Sequence, residues 1–350
     1  MTPSSHTTTP FSPASNPATV EAYNFLNTYI QRSRPYLTAA QIESLKPSDE
    51  ARTIQTRLQA CQWIVQVAGV LQFPVRTIAT AMILYHRLLL FNKTTYFQEN
   101  AIEPSIASLF VACKIEDTLK KSREILCVSY NLRHPNSEPI NPDSSLLEET
   151  SKRVIGMERT ILETSSFDFR NRHAQPFLMK LCKRLKLGKE TARLAWSVAL
   201  DVYRTLVPLR ATPHALALAS IETATRLGGK RVKIEYSKLE ATRDDVLSIV
   251  DDLLELYTNH SSSTTVGPKY EGNTYLNARI ELNKERKRLQ NGHGKQLPVE
   301  PPIAVKLQHL SERGSQGTIR FMIDPEREQK ECSLLNGAED GGMGTAKVFM

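Results

Sequence analysis

The sequence predicts an all-α protein with irregular termini, and three patterns support this fold class. Apolar residues recur at intervals of three and four through most of residues 49–260, which is the spacing of amphipathic α-helices. No stretch shows sustained alternation of apolar and polar residues bounded by hairpin turns, so a β-sheet is not expected. Both ends of the chain are rich in Ser, Thr, Pro or Gly, which is typical of segments that lack a packed core.

Residues 1–16 are expected to be disordered, since their Ser-, Thr- and Pro-rich sequence has little to bury. Thr2, Thr9 and Ser12 each precede a proline and are candidate sites of proline-directed phosphorylation, although such dipeptides are common in disordered tails. From residue 17 the pattern turns helical. We interpret residues 17–48 as an N-terminal helical segment that docks on the body.

Residues 49–170 are predicted to form a first bundle of five helices. The apolar pattern places these helices at about residues 49–71, 74–91, 104–114, 122–132 and 144–165. Pro74 suits the first turn of the second helix. The stretch HPNSEPINPDSS, with three prolines, is a loop between the last two helices.

Residues 171–260 are predicted to form a second helical bundle. Its helices fall at about residues 174–186, 189–207, 212–227 and 242–259. Thr212 suits an N-cap and Pro213 the first helical position, so phosphorylation of Thr212 would compete with its capping role. Gly228 and Gly229 are a stop signal after that helix.

Residues 261–350 are interpreted as a C-terminal tail with a short helix at about residues 274–290. The stretch SSSTTVGPKYEGN is typical of a linker. Removal of the chain beyond Ser261 is therefore expected to leave the helical body folded. The basic stretch NARIELNKERKRLQ fits either a nuclear-import or RNA-contacting segment or a solvated helix face. The segment TIRFMID fits either a short strand or a binding peptide.

Composition bounds the class of protein more loosely. With 350 residues and 40% hydrophobic content, the chain can form one to three domains with sizeable cores. No apolar run approaches the roughly 20 residues of a membrane-spanning helix, and the first residues lack the features of a signal peptide. We expect a soluble protein that is not secreted and has no membrane partner.

The cysteines and the net charge exclude little. The five cysteines are an odd number without a C-x-x-C pair, which favours free thiols in a reducing compartment over a zinc site. They are Cys61, Cys113, Cys127, Cys182 and Cys332. The net charge of +8 permits a nucleic-acid partner. Because that charge is spread along the chain, composition leaves direct nucleic-acid binding undecided.

Two charges of opposite sign interrupt apolar helical stripes. Lys114 continues the face formed by Ala107, Phe110 and Val111. Glu158 lies in a stripe of core-type residues, namely Val154, Ile155, Ile161, Leu162 and Ser165. Because a lone buried charge is costly and is normally paired, these two charges indicate one shared polar site. The alternative is that Lys114 lies at the edge of its stripe and extends its ammonium group to water.

The residues around these charges resemble a known family. The pattern CKIEDTLKKSREI, followed later by MERTILETSSFDF, is similar to the cyclin box of transcriptional cyclins. The stretches SRPYLTAAQI, FPVRTIATAMILYHRLLLFN and TARLAWSVALDVYRTLVPLRATPHALALASIETA extend the resemblance over about residues 30–260. It implies tandem cyclin boxes at residues 49–170 and 171–260. In that family a lysine and a glutamate at the positions of Lys114 and Glu158 bind each other and backbone groups beside the kinase C-helix.

The resemblance also implies a function and partners. Ile115, Leu162 and Phe167 match the apolar part of the same kinase groove, although each also fits ordinary core packing. The chain would be a nuclear regulatory subunit without cofactor or active site that activates a cyclin-dependent kinase catalytic (alpha) subunit. A third (gamma) subunit accompanies the pair in the fungal complexes. The kinase itself would meet the C-terminal domain of RNA polymerase II, in support of transcription elongation.

Two other classes of function compete with this reading. A TFIIB-like general transcription factor also uses tandem cyclin folds and contacts DNA, but such factors carry an N-terminal zinc ribbon, and no cysteine precedes Cys61. An all-α enzyme would need an acid–base or metal constellation. The sequence has neither a glycine-rich phosphate loop nor an H-E-x-x-H motif. His86, His173 and His214 are expected to be structural, and Asp201 to pair with a basic neighbour if it has any partner.

Overall fold

The computed structural model describes residues 36–292, apart from residues 48, 93, 170–172, 230, 231, 233, 235, 237, 238 and 240. These residues form helices and connecting loops, and no strand occurs among them, so the predicted all-α class is confirmed. The expected disordered N-terminus with Thr2, Thr9 and Ser12, the stretch TIRFMID and Cys332 lie outside the described residues. So does the part of the N-terminal helical segment that precedes residue 36.

Seven helices form the first bundle and its N-terminal approach. They are α1 (Ala39–Leu45), α2 (Glu50–Val70), α3 (Val75–Phe91), α4 (Thr95–Glu99), α5 (Ile102–Ile115), α6 (Ser122–Arg133) and α7 (Glu148–Thr164). The five long helices α2, α3, α5, α6 and α7 agree with the predicted bounds within a few residues. The short α4 and the 3₁₀ turn Ser145–Leu147 ahead of α7 are additions.

Side-chain caps explain why α1 and α2 begin where they do. The hydroxyl of Thr38 accepts a hydrogen bond from the backbone N–H of Gln41, whose side chain accepts from the backbone N–H of Thr38. This reciprocal capping box satisfies two backbone donors at the start of α1. The carboxylate of Asp49 accepts from the backbone N–H of Arg52 at the start of α2.

Five helices form the second bundle. They are α8 (Ala174–Arg184), α9 (Lys189–Asp201), α10 (Pro213–Leu227), α11 (Arg243–His260) and α12 (Gly272–Gly292). The cap of α10 is as predicted, because the Thr212 side chain accepts from the backbone N–H of Ala215 and Pro213 occupies the first turn. The helix ends at Leu227 with Gly228 as its C-cap, and Gly229 adopts the left-handed conformation with φ of 64°, which glycine adopts without steric cost.

Helix α9 is shorter than predicted. The sequence pattern placed its end near residue 207, whereas the α-helix ends at Asp201 and two 3₁₀ turns follow, Val202–Arg204 and Val207–Leu209. Thr205 between the turns has an extended backbone (φ −99°, ψ 173°), and its hydroxyl accepts from the backbone N–H of Val207. Apolar residues continue through this region because the turns are buried, so their spacing gave no sign of the break.

The two bundles share one arrangement. In the first, the third long helix α5 contacts α2, α3, α6 and α7; in the second, the third helix α10 contacts α8, α9, α11 and α12. Both central helices are buried around most of their circumference. Each bundle is therefore a central helix surrounded by four others.

The second bundle extends past the predicted boundary at residue 260. The carboxylate of Asp201 accepts from the backbone N–H groups of Thr265 (2.8 and 3.0 Å) and Val266 (2.9 Å). The hydroxyl of Tyr275 donates toward the backbone oxygen of Val266 at 3.0 Å. Val266, Tyr275 and Leu282 are completely buried in the second core. The stretch interpreted as a linker is thus fastened to the body, and the short tail helix is α12, the fifth helix of the bundle.

The charges of the basic stretch divide into two groups. Arg279 and Arg286 both bind Asp251 of α11, at 3.0 and 2.8 Å, so they hold α12 in place. Lys284, Lys287 and Arg288 are exposed. The prediction of a solvated helix face therefore holds for Lys284, Lys287 and Arg288 but not for Arg279 and Arg286.

The joint between the bundles is hydrogen-bonded and apolar. The ring Nε2 of His86 on α3 lies 2.8 Å from the backbone oxygen of Tyr203, to which it donates because a carbonyl can only accept. The hydroxyl of Tyr203 in turn accepts from the backbone N–H of Ala174 at 3.0 Å. Helix α1 contributes Ile42 to a small cluster with Leu90 and other aliphatic residues of both bundles.

The described residues contain neither a metal-binding cluster nor a membrane-spanning helix. No group of three His, Cys, Asp or Glu side chains within the described part of the chain has a metal-binding arrangement. No helix in the described region is long and apolar enough to cross a membrane. The four cysteines of this region are buried free thiols, and burial raises the pKa of Cys61 to about 11.

Candidate functional site

Lys114 and Glu158 form a two-point ion pair between α5 and α7. The Lys114 ammonium group lies 2.7 Å from Oε1 and 2.8 Å from Oε2 of Glu158. Lys114 is the last residue but one of α5, and Glu158 lies in the second half of α7. The predicted meeting of these two charges is confirmed, since α5 packs directly on α7.

The pair is less buried than the apolar stripes indicated. The Lys114 side chain is 45% exposed and that of Glu158 is 21% exposed. The ammonium group lies 4.3 Å from the centre of the Phe110 ring, a cation–π contact. The lysine thus follows the alternative reading, in which it lies at the edge of its stripe. Ile155, which the pattern placed among core-type residues, is likewise half exposed.

This exposure leaves hydrogen-bonding capacity for a partner. An ammonium group has three donors and a carboxylate oxygen can accept more than one bond. Two donors of Lys114 are used by Glu158, and neither group has another hydrogen-bond partner within the described region. The remaining donor and lone pairs can bind the carbonyl and N–H groups of an approaching polypeptide backbone.

The three predicted apolar site residues differ in exposure. Ile115 and Leu162 are partly buried and pack against the first core. Phe167, just beyond the end of α7, is 56% exposed. Its ring meets that of Phe169, also half exposed, edge to face at 6.5 Å between centroids. The sequence analysis did not identify Phe169 as a site residue. The two phenylalanines of the motif FDF were the signal that could have indicated it.

The backbone that carries Phe167 is strained. Ser166 and Phe167 have φ of 51° and 55°, and a bulky residue in this left-handed region is an outlier. The backbone N–H of Phe167 donates to the oxygen of Leu162 at 3.0 Å, which closes the end of α7. Strain of this kind costs about 1–3 kcal/mol and clusters at functional surfaces.

Glu116 connects the end of α5 to both neighbouring elements. Its Oε1 accepts from the hydroxyl of Thr80 on α3 at 2.5 Å and lies 3.1 Å from Nε2 of His173. His173 immediately precedes α8, the first helix of the second bundle. The carboxylate is largely buried. Because it follows Lys114 by two residues, it fixes the helix end from which the lysine projects.

The second bundle contains a counterpart of the Lys114–Glu158 pair. Arg226, the last residue but one of α10, binds Glu285 of α12 at 2.5 Å. Here, however, Arg243 binds both Glu285 and Glu222, and Glu222 also accepts from Tyr236 at 2.7 Å. These five residues form what we call the closed cluster, whose hydrogen-bonding groups are largely used within the bundle.

The closed cluster shifts the pKa of its central carboxyl. Burial alone would raise the pKa of Glu222, but hydrogen bonds from Arg243 and Tyr236 and the charges of Arg243 and Arg226 outweigh it and lower the pKa to about 2. Burial and the neighbouring Glu222 raise the pKa of Tyr236. The cluster therefore remains ionised at neutral pH and holds α10, α11 and α12 together.

The other candidate polar residues are structural. Asp201 binds Arg204 at 3.1 Å in addition to the backbone groups beyond α11, so it has the basic neighbour that the sequence left open. His86 is completely buried, and burial lowers its pKa to about 3. His214 packs on Phe177 with 3.9 Å between ring centres.

Comparison with known proteins places this arrangement in a family. Residues 25–170 match the cyclin N-terminal domain. The chain is 33% identical over 312 residues to the CTD kinase subunit beta of Schizosaccharomyces pombe, covering 85% of this chain and 91% of that protein. It is 30% identical over 251 residues to the CTD kinase subunit beta of Saccharomyces cerevisiae, covering 69% of this chain and 74% of that protein.

A solved structure shows the same fold. A chain in the crystal structure of the yeast RNA Pol II CTD kinase CTDK-1 complex superimposes with a TM-score of 0.63 at 24% identity, over 85% of this chain and 97% of that chain. The fold and the sequence relatives agree: this protein belongs to the cyclin family. Within it, the chain is similar to the CTD kinase beta subunits along most of its length.

Proposed function

We propose that this chain is the regulatory cyclin subunit of a kinase that phosphorylates the C-terminal domain of RNA polymerase II. Two relatives named CTD kinase subunit beta, at 33% and 30% identity over most of their length, support this assignment. The main support for the docking site is the exposed Lys114–Glu158 pair, which keeps hydrogen-bonding groups free on the surface of the first bundle. In this role the chain binds a catalytic (alpha) subunit and performs no phosphoryl transfer itself.

The docking surface combines the ion pair with aromatic side chains. Lys114 and Glu158 bind backbone groups of the kinase, while Phe167 and the adjoining Phe169 contribute exposed apolar area. Ile115 and Leu162 lie mainly beneath this surface, where they support it by packing on the first core. Aromatic residues, phenylalanine among them, are enriched in protein interfaces relative to the rest of the surface.

Activation follows from selective binding. A kinase needs the glutamate of its C-helix paired with the lysine that positions ATP, and this arrangement is lost when the C-helix moves. A cyclin that binds only the ordered arrangement shifts the kinase population toward it. The polymerase domain meets the kinase rather than this chain. The remaining parts of the proposal are a nuclear location, a third (gamma) subunit and a role in transcription elongation.

Co-expression with a catalytic subunit tests the proposal. We expect a complex of one cyclin and one kinase to co-purify, and the kinase to phosphorylate a polymerase heptad peptide only when the cyclin is present. Lys114→Ala and Glu158→Ala should each abolish this stimulation. The matched controls are Lys152→Ala and Glu149→Ala, which break another ion pair of α7 (3.2 Å) and should leave stimulation intact. A cyclin that forms no complex with such kinases contradicts the proposal.

The TFIIB-like alternative has no comparable support. The two relatives described above are named as kinase subunits, and no feature of the described residues favours DNA contact over kinase docking.

A further inference from the structure

A second surface adjoins the ion pair and includes Lys114 in its lining. It is a groove of about 790 Å³ between the end of α5, the start of α6 and the first half of α7. Its lining includes Lys114, Leu119, Lys121, Arg123 and Ile155. The two aromatic residues of the docking surface do not line it, so the groove is a separate feature that shares only Lys114 with that site.

The apolar part of the groove is unusually exposed. Leu119 is 69% exposed and Ile155 is 50% exposed, and the largely buried Phe110 also belongs to the lining. Scattered exposed aliphatic residues are common, but a pair that flanks one concave surface indicates an interaction site. The walls therefore offer a place for one large apolar side chain.

The rim of the groove is positive. Lys121 is exposed and Arg123 is partly exposed, and within the described region neither has a carboxylate at salt-bridge distance. Lys120 is held only weakly by Glu124, at 3.9 Å. Lys121 is also the N-cap of α6 and provides no side-chain cap. The positive end of the helix dipole thus adds to the two free cations.

We propose that this groove binds an acidic peptide segment of a partner protein, with one large apolar residue in the groove and carboxylates beside Lys121 and Arg123. Charge complementarity supports this occupant: two cations without internal partners face one apolar depression. A basic or purely apolar segment would leave these cations uncompensated or opposed. The groove shares Lys114 with the proposed docking site, but neither Glu158 nor Phe167 lines it, so the two proposals can be tested with separate variants.

Fluorescence polarisation of the full chain with a labelled peptide tests the inference. The probe is a twelve-residue peptide in which one Leu-Phe pair is flanked by glutamates. We expect saturable binding that weakens about tenfold or more on the change from 0.05 to 0.3 M NaCl, since screening shortens the range of charge interactions. The double variant Lys121→Glu with Arg123→Glu should weaken binding at least about tenfold. Ile155→Ser should also weaken it, whereas the matched control Lys189→Glu, an exposed lysine of the second bundle, should not.

Two control peptides identify the contribution of each half of the groove. Replacement of the Leu-Phe pair by serines, or of the glutamates by lysines, should abolish binding. Absence of saturable binding, or equal binding of the serine peptide, overturns the inference. Equal binding by the charge-reversed variant does so as well. Co-purification of the kinase with the same preparation separates this outcome from the proposed function, because Lys114 and Glu158 are unchanged in the groove variants.

Discussion

Lys114 and Arg226 occupy the same place in the two bundles. Each is the last residue but one of the third long helix, and each binds a carboxylate of the fifth helix. The difference lies around them: the Lys114–Glu158 pair is open to solvent, whereas Arg243 encloses the second pair and also binds Glu222. The same cation–carboxylate contact thus occurs in both bundles. It lies on the surface of the first bundle and stabilises the packing of helices in the second.

This difference predicts unequal effects of mutation on stability. Exposed ion pairs contribute about 0–1 kcal/mol, so Lys114→Ala and Glu158→Ala should change the free energy of unfolding by no more than that. Removal of Glu222 leaves Arg226 and Arg243 partly uncompensated, and loss of one partner in a buried pair costs about 3–5 kcal/mol. Urea unfolding of Glu222→Ala beside the two surface variants measures the contrast. Equal losses in all three would show that the surface pair is structural.

The closed cluster predicts loss of stability in acid. The pKa of Glu222 is about 2 in the fold and about 4.3 in an unfolded chain. Since the unfolded state binds the proton first, the contribution of this carboxylate is fully present above pH 4.3 and is lost as the pH falls toward 2. Thermal unfolding at pH 5.0 and 3.5 should show a larger decrease in Tm for the unaltered protein than for Glu222→Gln. A similar decrease in both would contradict the role of the carboxylate.

The buried histidine at the joint predicts a second pH dependence. The pKa of His86 is about 3 in the fold because of burial, whereas an unfolded histidine titrates near pH 6.5. Between these values the unfolded state binds the additional proton, so stability falls as the pH is lowered below about 6.5. His86→Gln retains a donor for Tyr203 but removes the titration. Its Tm should change less than that of the unaltered protein between pH 7.5 and 5.5, as calorimetry can establish.

The fastened segment after α11 predicts the effect of truncation. Removal of residues 261–350 deletes Val266, Tyr275 and Leu282, all completely buried, and leaves the Asp201 carboxylate without its backbone donors. Each large buried side chain contributes about 2–5 kcal/mol, and together they approach the stability of an ordinary domain. We expect the truncated second bundle to unfold, with a loss of helical circular dichroism. Truncation after Gly292 is the control and should retain the fold of residues 36–292.

Substitution of Phe167 is expected to weaken kinase binding without lowering the stability of the fold. Phe167→Gly removes an exposed ring. It also relieves backbone strain, because the left-handed conformation costs residues other than glycine about 1 kcal/mol. The variant should keep its Tm or increase it, yet bind the kinase more weakly. Phe167→Ala, which retains the strain, should lose a similar amount of affinity without the gain in stability. Unchanged kinase affinity in both variants would exclude this ring from the docking surface.

Much of the fold and the central ion pair could be predicted because their signals are local. The periodicity of α2, α3, α5, α6 and α7 and the caps of α10 are properties of neighbouring residues. Lys114 and Glu158 could be paired because opposite charges in apolar stripes, together with the motifs around them, pointed to one site. Their exposure could not be predicted, since it depends on where α5 ends relative to α7.

The fifth helix of the second bundle was assigned to a tail for a related reason. Its buried residues Tyr275, Ala278 and Leu282 lie within or beside a stretch rich in charged side chains, which is also typical of a solvated face. Arg279 and Glu285 find their partners on α10 and α11, far away in sequence. Such long-range pairs carry no local pattern, so the boundary at residue 260 was placed one helix too early.

The most direct test of the docking site is a double-mutant cycle on kinase affinity. The dissociation constant of the kinase should be measured for the unaltered cyclin, Lys114→Ala, Glu158→Ala and the double variant, with Tm recorded for each. We predict a loss of at least about tenfold for each single variant, little further loss in the double variant and nearly unchanged Tm values, because the two side chains act as one contact. Folded single variants that bind the kinase as tightly as the unaltered cyclin would contradict the assignment and leave the pair as a surface salt bridge of the first cyclin box.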